Sequence, residues 1–210
     1  MQSYWDRSWA DVAPERIQTY VRSFSTQPDA TMQLFRTHGL KEICDAGCGC
    51  GIYALLLARN GFTVHGFDVA QDAVNIANSL FAGSGYSPAF KCAGVLSTGY
   101  DGNCFDGVVC RDVLDHMQKR DAIPALRELM RITRPGGCLC LTVDALDEEY
   151  QTEPHTVNED GDYLFTKGKW NGMVFHPYTQ EELLTMLPPV AEYRIHRSDD
   201  GGILLFLFKK

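Results

Sequence analysis

The sequence predicts an α/β fold in which a doubly wound, mainly parallel sheet of seven strands ends in an antiparallel hairpin. Strand-like and helix-like runs alternate from residue 41 onward. A glycine-rich loop at 45–51 follows the first strand, and the polar, glycine-containing run 198–202 between the last two strands is a hairpin signal. No repeat or linker divides the chain, so residues 1–210 are predicted to form one domain.

Each predicted element begins or ends where the residue types change. Asn60-Gly61 is a helix C-terminal signal, and Thr179 with Glu182 forms a capping box that opens a late helix. The run 134–137, Arg-Pro-Gly-Gly, predicts a turn before the fifth strand. The predicted strands are 41–46, 62–67, 89–93, 105–110, 138–143, 191–197 and 203–209, and the predicted helices are 52–60, 71–81, 123–132 and 181–186.

Composition and charge limit the class of partner. The chain has 210 residues, 45% hydrophobic and 22% charged, with a formal net charge of −8. The acidic balance argues against a nucleic-acid partner, because such proteins usually carry a basic face and here Lys209-Lys210 is the one basic cluster. No apolar run approaches the roughly 20 residues that span a bilayer, and no signal-peptide core is present. The expectation is a cytoplasmic protein without a membrane segment, its oligomeric state left open.

The eight cysteines fit the same expectation. Several lie in apolar strand-like runs, where a free thiol behaves as a small hydrophobic residue. Cys44, Cys48 and Cys50 invite a metal interpretation, but their spacing is not one of the usual ligand spacings. The sequence therefore predicts no metal site.

The loop that opens with Asp45 has the features of a cofactor site. Gly47, Gly49 and Gly51 let the backbone turn tightly and approach a ligand closely, and the next helix directs its N-terminal amides at the loop. Ile52 stands where the dinucleotide fingerprint has its third glycine, and an acid at the strand end repels a pyrophosphate. An acid in that place suits a cationic ligand instead.

The pattern D-x-G-x-G-x-G resembles the glycine motif of class I S-adenosylmethionine-dependent methyltransferases, of the methyltransferase domain 11/25-like kind with small-molecule acceptors. A Rossmann-like sheet and S-adenosylmethionine as cofactor are what the resemblance implies. Asp68 ends the second strand about 20 residues after the glycine loop, the spacing at which an acid binds a ribose diol. The alternative is that Asp68 or Asp72 only caps the next helix.

A second segment supports the resemblance. Residues 105–117 are similar to the family's F-D-x-V-x-x-x-x-V-L-x-H segment, and 129–137 to its R-x-L-K-P-G-G connection. The family often has an Asp after the third strand, where this chain has Gly94, so the adenine would be read by the backbone of Val95. The resemblance implies these cofactor-binding residues: Asp45, Ala46, Gly47, Cys48, Gly49, Asp68, Val69, Gly94, Val95, Arg111 and Asp112.

The candidate catalytic residues are acids and histidines near the strand ends. Methyl transfer needs no acid for a neutral leaving group, but a neutral oxygen or nitrogen acceptor can need a base. His116, Asp115 and His176 are the candidates. The aromatic and helical segment 1–37, with Tyr4, Trp5 and Trp9, is predicted to be a lid or cap, and the insertion 144–178 is predicted to cover the substrate.

The sequence thus predicts methyl transfer to an unidentified acceptor. The charge and the aromatic insertion favour a small molecule. The alternatives are a module that binds S-adenosylmethionine or S-adenosylhomocysteine without catalysis, a tRNA or protein methyltransferase, and an NAD-linked oxidoreductase.

Overall fold

A computed structural model describes residues 4–10, 12–23, 27–82 and 84–210. Of the predicted N-terminal cap, residues 1–3, 11 and 24–26 lie outside the described residues. The helices are α1 (Tyr4–Ala10), α2 (Pro14–Ser23), α3 (Ala30–Thr37), α4 (Ile52–Arg59), α5 (Gln71–Phe81), α6 (Lys119–Ile132), α7 (Glu148–Thr152) and α8 (Gln180–Met186). The strands are β1 (Glu42–Ala46), β2 (Thr63–Asp68), β3 (Ala89–Cys92), β4 (Phe105–Arg111), β5 (Thr133–Val143), β6 (His155–Val157), β7 (Tyr163–Phe165), β8 (Val174–Phe175), β9 (Glu192–Arg197) and β10 (Ile203–Phe208).

The main sheet confirms the predicted doubly wound topology. Its seven strands lie in the order β3-β2-β1-β4-β5-β10-β9. The first five are parallel to one another, whereas β10 pairs antiparallel with both β5 and β9. The strand order reverses between β1 and β4, and ligands of such sheets bind in the crevice beyond the carboxyl ends at this point.

The core lies on both faces of the sheet because the central strands are apolar on both sides. Ile43 and Val109 face one cluster, which includes Phe35 of α3 and Leu57 of α4. Their sequence neighbours face the other cluster, together with apolar residues of α6 and α8. Continuous apolar runs are typical of parallel strands buried on both faces, and they hold the strand ends rigidly in place.

Two predicted boundaries near α6 are wrong. The helix begins at Lys119 rather than at residue 123, and Pro124 lies inside it. The apolar spacing did not reveal the first turn, because Lys119, Arg120 and Asp121 are all polar. The predicted turn 134–137 is instead part of β5, which pairs with β4 across a register shift between Phe105 and Gly107.

The insertion 144–178 is more regular than its sequence suggests. Its acidic run contains α7, whose N-cap Asp147 accepts a hydrogen bond from the Tyr150 amide. The aromatic part forms a separate antiparallel sheet in the order β6-β7-β8. These strands are only two or three residues long, too short for the periodicity that identifies strands in a sequence.

Helix α1 and the insertion meet above the carboxyl edge of the sheet. The rings of Tyr4 and Trp170 have centroids 6.3 Å apart, and the Arg7 guanidinium donates to the Asn171 carbonyl at 2.7 Å. Among the described residues, no helix combines the length and the apolar character that crossing a bilayer requires.

Candidate active site

A cavity of about 430 Å³ opens at the carboxyl edge of the sheet, beside the point where the strand order reverses. Small-molecule sites commonly measure roughly 300–1,000 Å³. The cavity is bounded by the loops that follow β1, β2, β3 and β4 and by α1. Its lining residues are Trp5, Trp9, Gly47, Gly49, Phe67, Asp68, Val69, Ala93, Gly94, Val95, Leu96, Asp112, Val113, His116 and Met117.

The glycine loop forms one wall because it has no side chains there. Gly47 and Gly49 both have positive φ, 74° and 51°. A Cβ on Gly47 would lie 2.4 Å from Cγ2 of Val113, and a Cβ on Gly49 would lie 3.1 Å from the Trp9 ring. The loop therefore requires glycine at both positions, for backbone conformation and for space.

Asp68 fixes the loop from the end of β2. One carboxylate oxygen accepts from the Gly49 amide and the other from the Ala70 amide, both at 2.9 Å. The N-cap of α5 is Ala70, with no side-chain cap, so neither Asp68 nor Asp72 caps this helix. Each oxygen of Asp68 keeps a further lone pair for a ligand hydroxyl, and the side chain lines the cavity. Burial raises its pKa, against the two amide hydrogen bonds.

Asp45 lies behind the loop, outside the cavity lining. It is 3% exposed, and its Oδ2 has no hydrogen-bond partner among the described residues. Burial raises the pKa of Asp45 to about 7, and the charge of Asp68 adds to the rise while Arg111 opposes it. A buried, unpaired carboxylate oxygen beside the glycine loop suits a ligand that carries positive charge.

The segment that follows β4 supplies another part of the wall. Asp112 has a φ of 53°, rare for a residue other than glycine, and its Oδ1 accepts from the Thr142 hydroxyl at 2.5 Å. Backbone strain of this kind often occurs at functional positions. Both Asp112 and His116 line the cavity.

Asp115 is completely buried beneath this wall. Its Oδ2 accepts from the Asp144 amide at 2.9 Å. Burial and the nearby charges of Asp112 and Asp144 raise the pKa of Asp115 to about 8. Burial lowers the pKa of His116, so its imidazole is neutral near pH 7.

Several predicted site residues do not line the cavity. Ala46 is buried at the end of β1, and the Cys48 thiol is directed at the Gly49 carbonyl. The Arg111 guanidinium lies over the Tyr53 ring, 4.4 Å from its centroid. These residues support the loop or the strand end rather than the cavity wall.

His176 is also outside the cavity lining. Its Nδ1 lies 2.9 Å from Oδ1 of Asp162, and both side chains are buried. Its backbone amide donates to the Asp115 carbonyl at 2.7 Å. The structure therefore places His176 in the contact that attaches the insertion to the end of β4. Of the three predicted bases, His116 lies on the cavity wall.

Several lining residues were missed by sequence reasoning. They are apolar side chains that the fold brings to the cavity: Phe67, Ala93, Leu96, Val113 and Met117. A strand-end position is a signal for Phe67 and Ala93. Leu96, which is 50% exposed although apolar, follows β3 in a loop with no recognisable pattern.

Helix α1 covers the cavity from above. Trp5 and Trp9 both contribute to its wall. The ring centroids of Trp5 and His116 are 5.2 Å apart in an edge-to-face arrangement. The helix thus contacts both the glycine loop, through Trp9, and the β4 end, through Trp5.

Comparison with known proteins agrees with this geometry. Residues 43–137 match the family model of a methyltransferase domain. Over 99 residues the chain is 31% identical to the ubiquinone biosynthesis O-methyltransferase of Chromobacterium violaceum, an alignment of 46% of this chain and 41% of that protein. The chain thus matches less than half the length of this curated relative.

Solved structures share the fold over nearly the whole chain. The PH0226 protein of Pyrococcus horikoshii aligns with a TM-score of 0.72 at 15% identity, over 95% of this chain and 94% of that one. The magnesium protoporphyrin IX methyltransferase of Synechocystis, crystallised with S-adenosylhomocysteine, aligns with a TM-score of 0.64 at 19% identity, over 99% and 93% of the two chains. Residues 43–137 therefore match a methyltransferase domain, and the chain as a whole shares the fold of these aligned structures.

Proposed function

We propose that the protein transfers the methyl group of S-adenosylmethionine to a small-molecule acceptor. The observation that carries the proposal is the position of Asp68. Its carboxylate binds the glycine loop and lines the same cavity as Asp112 and His116. A cofactor site and a polar acceptor site would therefore share one cavity.

The residues present fit the parts of the cofactor. Asp68 would accept the ribose hydroxyls, and the backbone of Gly47 and Gly49 would hold the methionine end. Asp45 would contribute negative charge from behind the loop. Val69, which is 52% exposed in the cavity wall, would pack on the adenine together with Val95. Leu96 and Met117 extend this apolar wall.

The proposed residue roles at the cavity wall are binding and orientation. S-adenosylmethionine supplies a methyl group on a sulfonium, which leaves as a neutral thioether. Asp112 and His116 would orient the acceptor, and His116 has a neutral ring that can take a proton. Trp5 and Trp9 would exclude water, so α1 would serve as the lid, and holding the acceptor close and in line supplies much of the rate.

The small size of the acceptor is inferred from the position of α1 and from the charge of the chain. Trp5 and Trp9 of α1 line the cavity, and the net charge of −8 disfavours nucleic acid. The Chromobacterium violaceum relative is named for an O-methylation in ubiquinone biosynthesis. A hydroxyl-bearing small molecule is therefore the first class of acceptor to test.

Calorimetry of the full chain tests the cofactor. We expect S-adenosylmethionine and S-adenosylhomocysteine to bind at one site per chain and NAD not to bind. Asp68→Ala should lower the affinity for S-adenosylmethionine by at least about tenfold, because it removes charged hydrogen bonds worth roughly 1.5–3 kcal/mol each. Asp72→Ala is the matched control, since Asp72 belongs to α5 and is not a lining residue.

If a folded Asp68→Ala variant binds S-adenosylmethionine as tightly as the unchanged chain, the assignment of Asp68 to the cofactor site is wrong. Turnover is measured separately, as S-adenosylhomocysteine formed with a panel of phenols, catechols, carboxylates and amines. If the chain binds S-adenosylmethionine but methylates none of these acceptors, the non-catalytic alternative is favoured. Methylation of tRNA or protein would show that the acceptor is not a small molecule.

A further inference from the structure

Asp115, His116 and Asp144 bring three potential ligand atoms together at the carboxyl ends of β4 and β5. One oxygen or nitrogen from each side chain lies within 4.8 Å of the other two. Asp144 is the first residue after β5, and Asp115 and His116 lie in the loop between β4 and α6. Because β4 and β5 are adjacent and parallel, their ends fix this arrangement.

Two of the polar atoms in this cluster are buried without partners. Oδ1 of Asp115 and Nδ1 of His116 accept no hydrogen bond from any described residue. Asp115 is completely buried, and only its Oδ2 is satisfied, by the Asp144 amide. Leaving a buried polar atom unpaired costs about 1–3 kcal/mol, so binding of a ligand by these two atoms would be favourable.

The His116 ring is oriented with a lone pair available. Burial lowers the pKa of His116, and a hydrogen bond to the Val174 backbone opposes this shift. Nδ1 of the ring is buried and has no partner within the described chain. A histidine that donates one nitrogen to a backbone carbonyl presents an unprotonated second nitrogen, the arrangement typical of metal-binding histidines.

The charge around the cluster is negative. Asp112 adds a third carboxylate and is held in a left-handed backbone conformation, with its Oδ1 bound by the Thr142 hydroxyl. Asp115 and Asp144 have carboxylate oxygens within 4.8 Å of each other, so their negative charges repel. A divalent cation would relieve this repulsion and satisfy both open acceptors.

We propose that Asp115, His116 and Asp144 form a binding site for one divalent metal ion. Two carboxylate oxygens and one imidazole nitrogen suit Mn²⁺, with Mg²⁺ as the harder competitor. Such three-ligand sites leave coordination positions open. The cysteine spacing gave no indication of this site, because its ligands come from the ends of two strands that are far apart in the sequence.

The site adjoins the cavity through His116, which belongs to both. On the proposed methyl transfer, the ion would hold a hydroxyl oxygen of the acceptor in an open position. Metal binding lowers the pKa of such a hydroxyl, whose proton leaves to solvent. The oxygen then forms its bond to the methyl carbon as the carbon–sulfur bond breaks, and that electron pair stays on sulfur.

The experiment measures Mn²⁺ binding to the full chain by calorimetry and electron paramagnetic resonance, with no cofactor present. We expect one saturable Mn²⁺ per chain that Mg²⁺ displaces. Asp115→Asn and Asp144→Asn should each lower the affinity for Mn²⁺ by at least about tenfold, because each substitution removes a charged ligand. Asp115→Asn keeps an oxygen that can accept from the Asp144 amide, and Asp144 is exposed, so that variant is expected to fold.

Glu148→Gln is the control, since Glu148 is an exposed acid of the same insertion outside the cluster. The Mn²⁺ affinity of this variant should equal that of the unchanged chain. The proposal is overturned if the unchanged chain binds no Mn²⁺, if folded Asp144→Asn binds it equally well, or if Glu148→Gln weakens it as much. Because no cofactor is added, failure here leaves S-adenosylmethionine binding unaffected, and failure of cofactor binding leaves the metal result intact.

Discussion

Asp45 is the residue whose charge state should control cofactor affinity. Its pKa of about 7 means that it is mostly neutral at pH 6 and mostly ionised at pH 7.5. The ionised form attracts a cationic ligand and the neutral form does not. Because its pKa is raised, cofactor binding should strengthen as the pH rises through 7, whereas an acid held ionised by a salt bridge would already be charged at pH 6 and would give no change in this range.

We expect the Kd for S-adenosylmethionine to fall by about five- to tenfold between pH 6 and pH 7.5, in proportion to the ionised fraction of Asp45. Asp45→Asn should bind more weakly at pH 7.5 and should lose most of this pH dependence. Calorimetry at four pH values checks both. An equal pH dependence in Asp45→Asn would assign the titration to another group and contradict the role of Asp45.

Gly47 gives a second prediction at the scale of one residue. Gly47→Ala would place a Cβ 2.4 Å from Val113, at a φ of 74°. Gly61→Ala is the matched control, because Gly61 also has a positive φ of 87° but has open space around it. The control should lose about 1–2 kcal/mol from backbone strain alone and keep cofactor affinity.

Gly47→Ala should cost more, by roughly 1–3 kcal/mol of overpacking, and should abolish cofactor binding. Chemical denaturation measures the stability of both variants, and calorimetry measures the affinity. Equal effects of the two substitutions would show that backbone conformation alone explains the need for glycine in the loop.

At the scale of elements, α1 is expected to respond to the cofactor. Trp9 lies against Gly49 and Trp5 against His116, whereas Trp170 is not a lining residue. Addition of S-adenosylhomocysteine should change the tryptophan fluorescence of the unchanged chain. Trp9→Phe should remove much of this change and Trp170→Phe should retain it. If Trp170→Phe removes as much of the change as Trp9→Phe, the lid role of α1 is contradicted.

The elements also show what the sequence could predict. The βα units at 42–81 were predicted within a residue or two, because alternating apolar runs and glycine signals are local. Helix α7 and the sheet β6-β7-β8 were not predicted. Their stability depends on contacts between distant residues, such as the stacking of Tyr150 on Phe175, with centroids 4.5 Å apart. Such contacts leave no periodic pattern in the sequence.

The candidate site also has one part that the sequence predicts and another that it does not. Asp68, Gly47 and Gly49 are fixed by one strand–loop–helix–strand unit, and the structure places them together on the cavity wall. Arg111 and His176 sit in positions decided by tertiary partners, Tyr53 and Asp162 respectively. Spacing places a residue at a strand end, whereas the direction of its side chain depends on what the rest of the fold puts beside it.

At the scale of the whole molecule, the two halves of the candidate site come from different strands of the same sheet. The cofactor contacts come from β1 to β3, and the proposed metal ligands come from the ends of β4 and β5. The insertion reaches the second group through the hydrogen bond from the His176 amide to Asp115. The core beneath both is continuous across the sheet.

The position of the insertion between β5 and α8 has a consequence for how substrate preference can diversify. A segment grafted between Val143 and Thr179 would alter the contacts with α1 and with Asp115 without disturbing the glycine hinge, which other strands hold. Chimaeras that exchange only this segment should therefore inherit the donor's choice of acceptor while retaining the recipient's hold on the nucleoside.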